Sequence, residues 1–60
     1  GNKKEYDRAV SDFDEAIRRD PKDAVAFYNR SVIWSIKGDK ARATADYEEA
    51  VRLKPSLRNH

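Results

Sequence analysis

Carboxylates are the most frequent groups in this sequence that could do chemistry: Asp12, Asp14, Glu15, Asp46, Glu48 and Glu49 stand in two clusters, as paired acids for proton transfer or a cation site would. The surroundings do not support either chemistry. Each cluster is interleaved with arginine three or four residues away, the spacing of ion pairs along a solvated helix face. Asp12 and Asp14 are two apart, but the glycine and distal glutamate of a calcium loop are missing. The serines Ser11, Ser31, Ser35 and Ser56 have one histidine between them, His60, at the very end of the chain, so a hydrolase triad is not expected. A lone histidine without cysteine cannot build a zinc site or a disulfide staple. The two glycines, Gly1 and Gly38, are too far apart for a phosphate-cradling loop. No catalytic, cofactor-binding or metal-binding residue is assigned, and the chain is expected not to be an enzyme.

Thirteen Lys and Arg against eleven Asp and Glu leave a net charge of +2, too little for a general attraction to nucleic acid or anionic lipid. No apolar run reaches the roughly 18 residues of a membrane span, and the first five residues do not form a signal peptide. The expectation is a soluble chain with neither nucleic acid nor membrane as partner, cytoplasmic by default, its compartment otherwise open and its native start at Gly1–Asn2 undecided. Sixty residues form at most one small domain, which buries only roughly 60% of its unfolded surface.

Hydrophobic spacing supplies the elements. Tyr6, Ala9, Val10, Phe13, Ala16 and Ile17 recur at three and four residues and predict a helix over 3–19, with Arg8–Asp12, Asp14–Arg18 and Glu15–Arg19 as i,i+4 pairs. Pro21 drives Asp20 out of the helical region and ends it. Asp23 is placed to cap a second helix over about 24–37, which Gly38 closes in a left-handed conformation. Asp39 caps a third, over about 40–54, carrying Ala43, Tyr47, Ala50, Val51 and Leu53 inward before Pro55; residues 56–60 are expected to fray.

Residues 6–21 align without a gap on residues 40–55, with seven identical pairs in sixteen and an offset of thirty-four. That period indicates a stacked helical repeat. The motif spacing agrees: Phe27, Arg30, Ser31, Trp34, Ala43, Tyr47 and Pro55 fall where the tetratricopeptide family has Trp-x2-Leu-Gly-x2-Tyr, then Ala-x3-Phe, then Pro, and Ala9, Phe13 and Pro21 fit the second half of the same pattern. The sequence therefore resembles that family over nearly its whole length. Arg30 replaces the usual leucine, Ser31 the glycine and Lys40 a common tyrosine; the arginine stem can lie on apolar surface with its head on an acid, loosening the packing locally.

The resemblance implies an all-α fold of three antiparallel helices, a helical-hairpin repeat from an α-solenoid: residues 3–23 as the second helix of a preceding repeat, 24–57 as one complete repeat, 58–60 as a tail. Small residues at Ala9, Ala16, Ala43 and Ala50 would let helices approach closely. Phe27 and Trp34 would meet Tyr47 and Ala43 of the partner helix, with Phe13 and Ile17 against Ala26 and Ile33. Between Ala24 and Ile36 Arg30 is the one charge, so the second helix must be covered on more than one side. In the family, first helices line a groove for peptides, which implies a partner-binding set of Val25, Tyr28, Asn29, Val32, Ser35 and Ile36. Tyr28 and Val32 stand where a carboxylate clamp would need lysine or asparagine, so that clamp is not expected.

Two readings of the function remain. One is a protein-interaction scaffold that takes a partner peptide or protein on this face; the other is a structural repeat that self-associates into a dimer or stack through uncapped ends. A third, a three-helix DNA-binding domain, takes support from Phe27-Tyr28-Asn29-Arg30, which echoes the homeodomain core. That motif belongs on a basic C-terminal helix, whereas here it lies in the least charged, middle one.

Overall fold

Local chemistry sets the helix boundaries from the end of α1 onward in the computed structural model, which describes residues 3–58. Helix α1 spans Lys3–Arg19, α2 Ala24–Ile36 and α3 Lys40–Leu53. The Asp23 carboxylate accepts the Ala26 N–H at 3.1 Å, and that of Asp39 accepts the Arg42 N–H at 3.0 Å. Each satisfies a donor that the first helical turn would otherwise leave unpaired. Between α1 and α2 the turn is held by Asp23 N–H donating to Asp20 O at 3.0 Å and by Lys22 N–H donating to the Asp20 side chain at 3.1 Å.

Helix α2 ends as its glycine requires. Gly38 has φ +88°, a region that residues with a Cβ rarely adopt. This conformation aims the Gly38 N–H at Ser35 O, 3.0 Å away, and the Asp39 N–H at Trp34 O, 2.9 Å away, the paired bonds of a Schellman cap. Lys37 and Lys54 serve as C-caps, so α2 and α3 each stop one residue before the boundary read from the spacing.

The expected fraying after Pro55 is corrected over the described part of that segment. Residues Pro55–Arg58 form a 3₁₀ turn on α3, closed by Leu57 N–H donating to Lys54 O at 3.0 Å, with Leu57 half-buried. Proline cannot continue a helix behind it but readily starts one, because its fixed φ suits a first helical position. Gly1, Asn2, Asn59 and His60 lie outside the described residues, as does the rest of the expected tail beyond Arg58.

Helix α2 is the centre of the fold: it packs against α1 on one side and α3 on the other, while α1 and α3 share no backbone contact. The buried apolar residues are Val10, Ala24, Ala26, Ala50 and Val51, and Ala50 is 0% exposed. Small residues therefore mark the tightest approach of the helices, and half-buried aromatics fill the space around them. Ser31 is buried where the resemblance has glycine, its hydroxyl donating to Tyr28 O at 2.5 Å, so its small polar group is satisfied within its own helix.

Ring contacts differ from the sequence expectation in one place. Tyr47 meets Tyr28, with centroids 6.1 Å apart and planes tilted by 51°. Trp34 lies instead beneath the guanidinium of Arg42, 4.8 Å from its ring centroid, and Phe27 beneath that of Arg30 at 5.5 Å. On the 3.6-residue wheel Tyr28 borders the stripe of Ala24 and Ser31, which is where the Tyr47 ring meets α2.

Candidate functional site

With α1 on one side of α2 and α3 on another, one arc of the helix is left without a neighbour. Val25, Val32 and Ile36 are seven and four residues apart, which puts them within about 40° of each other around the helix. They are 52%, 43% and 53% exposed and are the large apolar side chains most open to solvent in the described chain. Ser35 is exposed beside them, and Tyr28 and Asn29 are half-buried at the margins. The six residues named from the sequence thus occupy one side of α2, the three aliphatic ones at its crest.

Beside that crest an open cleft of about 490 Å³ runs between α2 and α3. Tyr28, Ser31, Val32 and Ser35 line it from α2, and Ala43, Thr44, Tyr47 and Glu48 from α3, together with Arg58 of the 3₁₀ turn. Val25, Asn29 and Ile36 are not part of it. The α3 wall was missed in the sequence reading, although a signal was available: thirty-four residues earlier the counterparts of Thr44, Tyr47 and Glu48 are Val10, Phe13 and Asp14, on α1, which also packs against α2.

Electrostatics near this face centre on Arg30. Its Nε and Nη2 donate to the two carboxylate oxygens of Asp46 at 2.6 and 2.8 Å, and its Nη1 donates to Asp14 at 2.7 Å. One guanidinium therefore joins all three helices, using the planar fork that makes arginine suited to bidentate contacts. The hydrogen bonds to Asp46, opposed by partial burial and reinforced by the one to Asp14, raise the Arg30 pKa above its ordinary value. It stays charged and forms an ion pair with the buried Asp46.

Of the three helix pairs read from α1, one forms, one is replaced and one is not made among the described residues. Asp14 is taken by Arg30, and Arg18 turns to Glu15, which also accepts from Arg19 at 3.1 Å as expected; Arg8 and Asp12 form no ion pair among the described residues. Lys37 at the end of α2 pairs with Asp7, tying that end back to α1. No group of three His, Cys, Asp or Glu among the described residues could hold a metal ion, and no described helix is long and apolar enough to cross a membrane.

A helical hairpin with a half-covered first helix, preceded by a copy of its second helix at a fixed offset, defines a stacked helical-repeat protein. The chain belongs to the tetratricopeptide repeat family, whose model matches residues 1–23 and 24–57. It is 35% identical over 52 residues to an Hsp70-Hsp90 organizing protein of Triticum aestivum, covering 87% of this chain and 9% of that protein. It is likewise 36% identical over 53 residues to cellulose synthase operon protein C of Escherichia coli strain K12, covering 88% of this chain and 5% of that protein. The chain thus spans less than a tenth of the length of these relatives. No solved structure matches it.

Proposed function

We propose that the chain is a non-catalytic interaction scaffold that holds a partner peptide or protein on the outer face of α2. The observation that carries this reading is the solvent-facing stripe of Val25, Val32 and Ile36, each about half exposed on a helix otherwise packed on two sides. Contiguous apolar surface of this kind marks interaction sites. Tyr28, Asn29 and Ser35 at its edges supply hydrogen-bonding groups that would orient an occupant. Family membership supports the same reading, as does similarity to a protein whose name makes it an organiser of Hsp70 and Hsp90. In the proposed division, residues 24–57 are one complete repeat, 3–23 the second helix of a preceding one and 58–60 a tail; neither nucleic acid nor a membrane is the partner.

Peptide display against the folded chain tests the reading. Selected peptides should bind the wild type and lose binding to Val25→Asp and Ile36→Asp, both of which should keep full helical content. Peptides indifferent to these changes would place the site elsewhere. Sedimentation of the same proteins tests the competing assignment: a dimer or stack that survives both substitutions would mean self-association through other surfaces.

A further inference from the structure

Two phenol rings, Tyr28 and Tyr47, meet across the α2–α3 interface with centroids 6.1 Å apart and planes tilted by 51°. Centroid separations of roughly 4.5–7 Å mark aromatic pairs in contact. Both rings are half-buried and line the open cleft, so a small oxidant can reach them and a phenolic proton can leave to water. Tyr6, the third tyrosine, sits on α1 and has no ring contact among the described residues. The chain holds no cysteine and no methionine, the side chains that most readily take up oxidising equivalents. Its one tryptophan, Trp34, lies against two cations, the Arg42 guanidinium at 4.8 Å and the Lys37 ammonium at 5.5 Å from the ring centroid. Positive charge at the face of an indole opposes removal of an electron, because the radical cation left behind is repelled. Asp39 and Asp7 pair with these two cations and weaken the effect without abolishing it.

We propose that Tyr28 and Tyr47 form a site of oxidative cross-linking, at which a peroxidase with hydrogen peroxide joins the two rings by a carbon–carbon bond and staples α2 to α3. Each phenol gives up one electron and one proton, and the two neutral phenoxyl radicals couple through a ring carbon next to each oxygen. Those two carbons then lose their hydrogens as protons while each oxygen regains one, which restores both aromatic rings. The chain ends poorer by two hydrogen atoms, and the two electrons and two protons reduce one hydrogen peroxide to two waters. Contact between the rings replaces a diffusional encounter, so coupling within one chain outruns coupling between chains. The new bond closes a loop over residues 28–47 and restricts the unfolded chain as a disulfide would, in a sequence with no cysteine to form one. Nothing in this step depends on what the outer face of α2 holds, because it uses only the two rings, their contact and their access to solvent.

The test treats the whole chain, dilute, with a haem peroxidase and one equivalent of hydrogen peroxide. The product should run as a monomer under denaturing conditions, show the blue fluorescence of dityrosine and weigh two hydrogen masses less than the starting chain. Digestion should give one linked peptide pair, containing Tyr28 and Tyr47. Tyr28→Phe and Tyr47→Phe keep each ring and lose only its hydroxyl, and each should abolish that product while helical content stays at the wild-type level. Tyr6→Phe should leave the yield unchanged. The linked chain should melt at a higher temperature than the untreated one, whereas treated Tyr47→Phe should not. Dityrosine found only between chains, a linkage through Tyr6, a yield unaltered by Tyr47→Phe, or oxidation of Trp34 with no dityrosine formed would each overturn the proposal. A linked chain that melts no higher than the untreated one would overturn the staple.

Discussion

Arg30 and Asp46 face each other across the α2–α3 interface in a bidentate pair, 19% and 11% exposed at their side chains, and the third arm of the same guanidinium reaches Asp14 on α1. Removing one member of such a pair strands the other in a poorly solvated place, which costs 3–5 kcal/mol in a fully sealed site. Here Asp14 keeps some hold on the arginine, so Asp46→Ala should destabilise by about 2–3 kcal/mol in urea unfolding. The exposed Asp14→Ala should cost under about 1 kcal/mol. Replacing both members, Arg30→Met with Asp46→Leu, should restore most of the loss, because an apolar pair of similar volume removes the stranded charge. A domain this small has only a few kcal/mol in total, so Asp46→Ala will visibly lower helical content at room temperature.

Ala50 is fully buried on α3, whereas Ala45, five residues earlier on the same helix, is exposed. Leucine at position 50 would push the helices apart and should cost about 1–3 kcal/mol. At position 45 the same substitution should change stability by less than about 0.5 kcal/mol, since it enters solvent. Thermal melts of the two variants measure the difference; equal melting temperatures would mean that α3 does not approach its neighbour at Ala50.

The parts of this fold that were legible in the sequence are those decided within a few residues. Asp23, Gly38 and Asp39 act on backbone groups at most five positions away, so their roles follow from residue type and place alone. The exposed crest of α2 was legible for a related reason: a helix with one charge in thirteen residues has more apolar surface than its neighbours can cover. The partners of Arg30 and Tyr47 were not. Each depends on how one helix is rotated and shifted against another, and a few ångströms exchange Phe27 for Tyr28 or solvent for a carboxylate. Pro55 ends α3 as expected, but the residues after it were misread, because the same fixed φ that ends a helix also begins a 3₁₀ turn.

Gly38 separates backbone strain from crowding. No atom lies within 4 Å of where a Cβ would sit, so Gly38→Ala meets no steric obstacle, and any loss comes from holding a side-chain-bearing residue at φ +88°. The expected cost is about 1–2 kcal/mol, the difference between left- and right-handed conformations for an L-residue. Gly38→Asn should lose less, because asparagine tolerates this region better than alanine. Chemical denaturation of the three proteins ranks them; Ala equal to Gly would show that the Schellman cap is not retained in solution.

Glu49 provides the acid-side prediction. Hydrogen bonds from Arg52, from Nε at 3.0 Å and from Nη2, hold its carboxyl below the ordinary value of 4.5, with the nearby positive charge adding to the effect. A carboxyl that is more acidic in the folded chain stabilises it above the unfolded value, and that contribution disappears as the pH falls through the folded value. Stability should therefore decline below about pH 4.5 in part through this pair. In Arg52→Gln the Glu49 titration followed by carbonyl chemical shifts should return to the ordinary range. Added salt should shrink the wild-type shift, since the pair is open to solvent. If the titration were the same in both proteins at low salt, the Glu49–Arg52 contact would not persist in solution.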